Sequence, residues 1–99
     1  MQIIKSIDGG KLNVALEGRL DTMTAPELEA QFKDDLASVD SAVIDLEKLE
    51  YVSSAGLRVI LSIHKALAGK NGLVIKNPNE TVSEVFEVTG FTDILTIEA

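Results

Sequence analysis

The spacing of the apolar residues changes repeatedly along this chain of 99 residues, and this alternation restricts its fold more than any other feature. In residues 11–17 apolar and polar side chains alternate, which is typical of a strand with one buried face. In residues 25–38 apolar side chains recur at intervals of four, four and three, which is typical of an amphipathic helix. The apolar stripe of this helix consists of Leu28, Phe32, Leu36 and Val39.

The same criteria predict the remaining elements. Further strands are expected at residues 2–6, 42–46, 72–76 and 94–97, and further helices at about 54–68 and 80–89. The order β-β-α-β-α-β-α-β favours a mainly parallel sheet with right-handed crossovers, to which the opening hairpin adds an antiparallel edge. We therefore predict a single α/β domain over residues 1–99, with the helices packed against the sheet.

Three local patterns give finer expectations. The run Ala-Val-Ile-Asp-Leu at 42–46 is suited to a strand that is covered on both faces. Residues 24–27, Thr-Ala-Pro-Glu, fit a capping box in which the threonine and the glutamate bond to free amides at the start of the first helix. Gly69 and Gly90 are expected to end the second and third helices in the left-handed conformation.

The charge of the chain bears on its partners and its location. Nine basic and 16 acidic side chains give a net charge of −7, which disfavours nucleic acids and anionic membranes and favours partners with basic surfaces. The first residues do not fit a signal peptide, because Lys5 and Asp8 interrupt the apolar run. No apolar stretch approaches the roughly 20 residues that a membrane span needs. We expect a soluble, cytoplasmic monomer.

The sequence offers few groups for catalysis. The chain has no cysteine and a single histidine, His64, which leaves no thiolate nucleophile and no cysteine–histidine zinc site. Neither of the glycine-rich phosphate-binding motifs, GxxxxGK[ST] and GxGxxG, is present. We therefore expect no enzymatic activity, no cofactor and no metal.

The most distinctive segment is Ser53-Ser54-Ala55-Gly56, which stands between an apolar strand and a strongly apolar helix. One interpretation is structural: a serine caps the helix, and the small residues after it allow close packing. The other is functional. A glycine in a helical turn costs about 1 kcal/mol relative to alanine, and small neighbours leave the Ser54 hydroxyl open to a visiting partner. The residues by themselves leave both interpretations open.

Residues 49–61, Leu-Glu-Tyr-Val-Ser-Ser-Ala-Gly-Leu-Arg-Val-Ile-Leu, resemble the signature of the STAS domain, the fold of bacterial anti-sigma factor antagonists. In that family an apolar stretch precedes Asp-Ser-Ser/Thr-Gly-Leu, and the serine after the aspartate is phosphorylated. The resemblance continues in order along the chain, in Gly18-Arg19-Leu20-Asp21 with Thr24-Ala25, in Asp45-Leu46 with Leu49, and in Phe86-x-x-Thr89-Gly90-Phe91.

Two positions depart from the family pattern. When the sequences are aligned on Gly56 and Leu57, Ser53 takes the place of the aspartate and Ala55 that of the second hydroxyl residue. The resemblance thus implies phosphorylation at Ser54, with Ser53 as the second choice.

The resemblance also implies a mechanism, partner switching. The unphosphorylated antagonist binds an anti-sigma factor that is also a GHKL-type serine kinase, and this releases the sigma factor. Phosphorylation ends the binding, and a PP2C-type phosphatase reverses it. The expected partner-binding residues are Asp21, Thr22, Ser53, Ser54, Ala55, Gly56 and Arg58. Arg58 has a second interpretation as an ordinary exposed helix residue.

A different function is compatible with the same fold. STAS domains also occur as parts of transport systems, including lipid ABC transporters, where they serve as structural or regulatory interaction modules. A serine retained at the phosphorylated position disfavours this alternative.

Overall fold

The computed structural model describes residues 1–98; Ala99, which we included in the domain, lies outside the described residues. Strands and helices follow one another in the predicted order over these residues. Their bounds are β1 Gln2–Asp8, β2 Lys11–Leu20, α1 Ala25–Asp35, β3 Ser41–Val52, α2 Ser54–Leu67, β4 Gly72–Lys76, α3 Glu80–Val88 and β5 Thr96–Glu98, with a 3₁₀ turn at Phe91–Asp93 before β5.

The strands form one sheet in the order β1-β2-β3-β4-β5. β1 pairs antiparallel with β2 through the Gly9-Gly10 turn, where both glycines have positive φ, and the other neighbours pair in parallel. These pairings confirm the α/β class, the mainly parallel sheet and the antiparallel edge hairpin.

The core lies on one face of the sheet. Val14, Ile44 and Ile75 stand side by side in register on β2, β3 and β4, and all three are buried. Val82 and Phe86 of α3 belong to the same core cluster as the buried residues of α1 and α2. Because the parallel strands follow each other in space as in sequence, right-handed crossovers place the helices on this one face.

The opposite face of the sheet is open to solvent, so the expectation that residues 42–46 are covered on both faces is wrong. Val43 points to this open face; it is 9% exposed and does not belong to the core cluster. Its neighbours there are Asn13 of β2 and Val74 of β4, which are half-buried. The four parallel strands β2 to β5 follow one another in sequential order, so every right-handed crossover helix lies on the same face and none covers the second face.

β3 continues for six residues beyond the end that the sequence pattern predicts, to Val52. Its last buried residues, Leu46, Leu49 and Val52, are three apart instead of two. The register with β2 explains the spacing: Ala15 pairs with Asp45 but Glu17 pairs with Lys48, and a second shift follows Gly18. Each shift adds one residue to β3, which is the geometry of a β-bulge. A strand with two bulges loses the strict alternation by which strands are recognised.

The two predicted glycine caps have different outcomes. Gly90 has φ +80 after α3, as predicted. Gly69 does not have positive φ, so its prediction as a left-handed cap is wrong. The chain leaves α2 through a turn in which the Lys70 amide donates to Leu67 O, and the left-handed residue is Gly72 at the start of β4.

Candidate functional site

Ser53 caps the start of α2. Its backbone is extended, with φ −95 and ψ 174, and its hydroxyl oxygen accepts a hydrogen bond from the Gly56 amide at 3.3 Å. Its own amide donates to Leu20 O at 2.8 Å, which ties the start of the helix to the end of β2. The half-buried Ser53 side chain is therefore occupied by the fold, and the predicted serine cap is this residue.

Ser54 is the first residue of α2, and its side chain differs from that of Ser53 in exposure and in hydrogen bonding. Its side chain is exposed, and its hydroxyl forms no hydrogen bond with any of residues 1–98. The structure thus presents one hydroxyl that is free and accessible, next to one that is engaged.

Gly56 is glycine because the helix lies close to the sheet. A Cβ atom at this position would be 2.7 Å from Leu20 Cγ and 3.0 Å from Val52 Cγ2. Gly56 is buried, so it sets the height of α2 above the strands and offers no side chain to a partner. The packing interpretation accounts for this residue.

The turn after β2 is held by reciprocal bonds between Asp21 and Thr24. Asp21 Oδ1 accepts from the amides of Met23 at 3.0 Å and Thr24 at 3.1 Å, and Thr24 Oγ1 accepts from the Asp21 amide at 2.8 Å. The Thr24 hydroxyl also donates to Arg19 O at 2.8 Å. The predicted capping box is wrong, since the Thr24 side chain bonds back into the turn and does not cap α1.

These bonds stabilise the ionised form of the Asp21 carboxyl group. The Thr24 amide has the largest effect, the Met23 amide adds to it and the positive charge of Arg19 contributes further; together they outweigh desolvation and hold the pKa of Asp21 below its ordinary value of 3.8. Asp21 is therefore a fixed negative charge at neutral pH.

The Asp21 turn and the start of α2 border one groove between α1 and α2. Its volume is about 550 Å³, and Thr22, Ala55 and Arg58 line it together with residues of α1. The structure thus brings these predicted partner-binding residues together. Ser53, whose amide donates to Leu20 O, lies at the same end of the sheet as this groove. Gly56 is buried in the first turn of α2.

Sequence analysis did not select Met23, the most conspicuous exposed residue of this region. Its side chain is 85% exposed, although the turn that carries it is fixed by the Asp21 and Thr24 bonds. The available signal was a large apolar residue inside an otherwise polar turn.

Residues 1–98 offer no metal site. No group of three or more histidine, aspartate or glutamate residues there could hold a metal ion. In the same part of the chain, no helix combines the length and apolarity that crossing a membrane requires.

Fold and site together define a small α/β protein that displays one free serine hydroxyl where a buried helix begins. The family model described as "Mlab, STAS domain" matches residues 4–96, and the chain belongs to the STAS domain family.

Two curated relatives carry related names. BtrV of Bordetella bronchiseptica, provisionally named an anti-sigma factor antagonist, is 40% identical over 93 residues, which cover 89% of this chain and 78% of that protein. The anti-sigma-B factor antagonist of Listeria monocytogenes is 28% identical over 99 residues, covering 96% and 85% of the two chains.

Solved structures show the same fold. The unphosphorylated form of the anti-sigma factor antagonist SpoIIAA has a TM-score of 0.85 at 20% identity, covering 99% of this chain and 89% of that one. The phosphorylated form of Bacillus SpoIIAA has a TM-score of 0.77 at 19% identity, covering 99% and 92%.

Proposed function

We propose that this protein is an anti-sigma factor antagonist that works by partner switching, with Ser54 as the phosphorylated residue. The observation that carries the proposal is the exposed hydroxyl of Ser54 at the first position of α2, which bonds to none of residues 1–98. The names of the relatives that are 40% and 28% identical support the same class of function.

The contrast between the two serines favours Ser54 over Ser53. A kinase must reach the hydroxyl oxygen from solvent, and the Ser53 oxygen is half-buried and accepts the Gly56 amide. Phosphorylation of Ser53 would disturb a helix cap, whereas phosphorylation of Ser54 breaks no bond of the fold. The substitution of serine for the family aspartate at position 53 thus retains a cap, since both residue types serve as N-caps.

Phosphorylation would act mainly on the interface. A phosphoserine adds a charge of about −1.5 to −2 at pH 7. The fold tolerates it, because the free amides and the positive dipole end of a helix N-terminus favour an anion. A partner packed around a small hydroxyl would meet a bulky dianion. A loss of binding from near saturation to a few per cent takes only about 3–5 kcal/mol.

The proposed partners follow from this scheme. The anti-sigma factor, acting as a GHKL-type serine kinase, would bind the surface formed by Asp21, Thr22, Ser53, Ser54, Ala55 and Arg58 with Gly56 beneath it. A PP2C-type phosphatase would restore the unphosphorylated form. The chain itself would supply the acceptor serine and the docking surface, as a cytoplasmic monomer without catalytic activity of its own.

The direct test is incubation of the protein with a candidate GHKL-type serine kinase and ATP, followed by intact-mass and peptide mass spectrometry. We expect one phosphate on the wild type and on Ser53→Ala, and none on Ser54→Ala, which should also remain bound to the kinase. Full phosphorylation of Ser54→Ala would show that Ser54 is the wrong residue.

The alternative of a transporter subunit is not favoured, since the relatives are named as antagonists and the proposed acceptor hydroxyl is exposed.

A further inference from the structure

Arg58 is a cation close to the proposed phosphorylation site. It lies four residues after Ser54 in α2, and its side chain is exposed. Residues four apart on a helix are neighbours, with about 5–6 Å between their Cβ atoms. Helical side chains generally lean towards the N-terminus of their helix, so the long Arg58 side chain can reach a group at Ser54.

No group within residues 1–98 occupies the Arg58 guanidinium. The ion pairs there join Lys5 to Asp35, Lys48 to Glu17 and Lys76 to Glu98, and none involves Arg58. No hydrogen bond is formed by its side chain with these residues either.

The surroundings of Arg58 are more positive than the protein as a whole. Lys33 and Glu29 of α1 line the same groove, so this groove has two cationic side chains and one carboxylate in a protein whose net charge is −7. The Asp21 carboxylate lies on the neighbouring turn, but it is held by the amides of Met23 and Thr24. A dianion at position 54 would therefore find beside it a cation that pairs with none of residues 1–98.

We propose that Arg58 binds the phosphoryl group of phosphorylated Ser54 and holds it at the mouth of the α1–α2 groove. The planar guanidinium fork matches two phosphate oxygens, which makes arginine well suited to such a pair. The phosphorylated form would then present a fixed ion pair beside Thr22 and Ala55 instead of a mobile phosphate. This inference rests on Ser54 as the phosphoacceptor and adds the residue that receives the phosphate.

The pair can be tested by ³¹P NMR titration of protein in which phosphoserine is inserted at position 54 during translation. The second ionisation of the phosphate is followed in the otherwise wild-type protein, in Arg58→Gln and in Lys65→Gln. Lys65 is an exposed residue of the same helix, eleven positions after Ser54, so this control removes one positive charge at a distance. Circular dichroism establishes that the variants are folded.

A nearby cation stabilises the dianion and lowers the titration midpoint. We expect Arg58→Gln to raise the midpoint by about half a pH unit, and Lys65→Gln to leave it nearly unchanged. Arg58→Lys, which keeps the charge but loses the fork, should give an intermediate value. Equal midpoints in the wild type and Arg58→Gln, or an equal shift in the Lys65 control, would overturn the proposal.

This experiment is independent of the kinase and of any anti-sigma factor. A chain that no kinase modifies would refute the proposed function and leave the titration result standing. Unchanged midpoints in a protein that its kinase does phosphorylate at Ser54 would refute the ion pair alone.

Discussion

Gly56 and Leu20 are in such close approach that a methyl group on Gly56 would lie 2.7 Å from Leu20 Cγ. Real Cβ atoms do not come this close to a neighbour, so the contact requires glycine at this position. It fixes the start of α2 against the end of β2, and thereby the position of the Ser54 hydroxyl beside the Asp21 turn. The proposed switch thus depends on a packing contact beneath it.

Gly56→Ala should therefore destabilise the protein. Leu20 and Val52, which the new methyl group would meet, are both buried core residues, so we expect a loss of about 1–3 kcal/mol in the free energy of unfolding. Urea denaturation followed by circular dichroism measures it. Gly69→Ala is the matched control, because nothing lies within 4 Å of its new methyl group and its φ is not positive. It should be neutral or slightly stabilising, and an equal loss in both variants would contradict the packing role of Gly56.

The neighbouring serines should differ in their effect on stability. Ser53→Ala removes the hydrogen bond from the Gly56 amide to the cap and should cost about 1 kcal/mol. Ser54→Ala removes an exposed hydroxyl without a partner among the described residues and should change the stability by less than about 0.5 kcal/mol. Thermal and urea unfolding of both variants measure the difference, and the reverse order would mean that Ser54 has a structural role.

Asp21 should make the stability depend on pH. Because the fold lowers its pKa below 3.8, its stabilising contribution is fully present at neutral pH and is lost as the pH falls below the unfolded value and through the folded pKa. Asp21→Asn keeps the oxygen acceptor but removes the charge. The wild type should therefore be more stable than Asp21→Asn at pH 7, and this difference should shrink towards pH 3.

The wild type and Asp21→Asn share every other titrating group, so the difference between their free energies of unfolding isolates the effect of position 21. Urea denaturation at both pH values is the measurement. A stability difference that is the same at pH 7 and pH 3 would show that the charge of Asp21 does not contribute.

The sequence predicted the element order, the parallel sheet and the edge hairpin. It could do so because buried apolar residues recur at every second position in a regular strand and at every third or fourth position in a helix. The second half of β3 was not, since two bulges give Leu46, Leu49 and Val52 a spacing unlike that of a strand. The capping box failed for a similar reason. The motif at 24–27 is present in the sequence, but Thr24 Oγ1 accepts the Asp21 amide instead of an amide of α1, and its hydroxyl donates to Arg19 O.

For the site, the resemblance to the STAS signature favoured Ser54 as the phosphorylated residue, but the residues by themselves did not show which of the two serines caps α2. Which serine caps the helix depends on where α2 begins, and a shift of one residue exchanges the two roles. The packing role of Gly56 was also not predictable from the sequence, because its contact Leu20 is 36 positions earlier in the chain. An exposed side chain such as Met23 has no periodic signal at all.

Met23 should contribute to partner binding without contributing to stability. It is a large apolar side chain, 85% exposed, on a turn whose conformation is already fixed by Asp21 and Thr24, so little entropy is lost when a partner encloses it. We expect Met23→Ala to weaken binding of the unphosphorylated protein to its anti-sigma factor about tenfold, by analogy with other buried apolar interface anchors. Isothermal titration calorimetry measures this change, and thermal unfolding should be unaffected.

Val88 provides a matched control for this surface. It is 87% exposed but lies at the last position of α3, whose first turn is the end tied to β3 through the bond from Asn79 Nδ2 to Leu49 O. Because α3 runs away from the edge that carries the Asp21 turn and Ser54, Val88→Ala should leave the affinity unchanged. Equal affinities for the Met23 variant and the wild type, or equal losses in the two alanine variants, would exclude Met23 as an anchor of the interface.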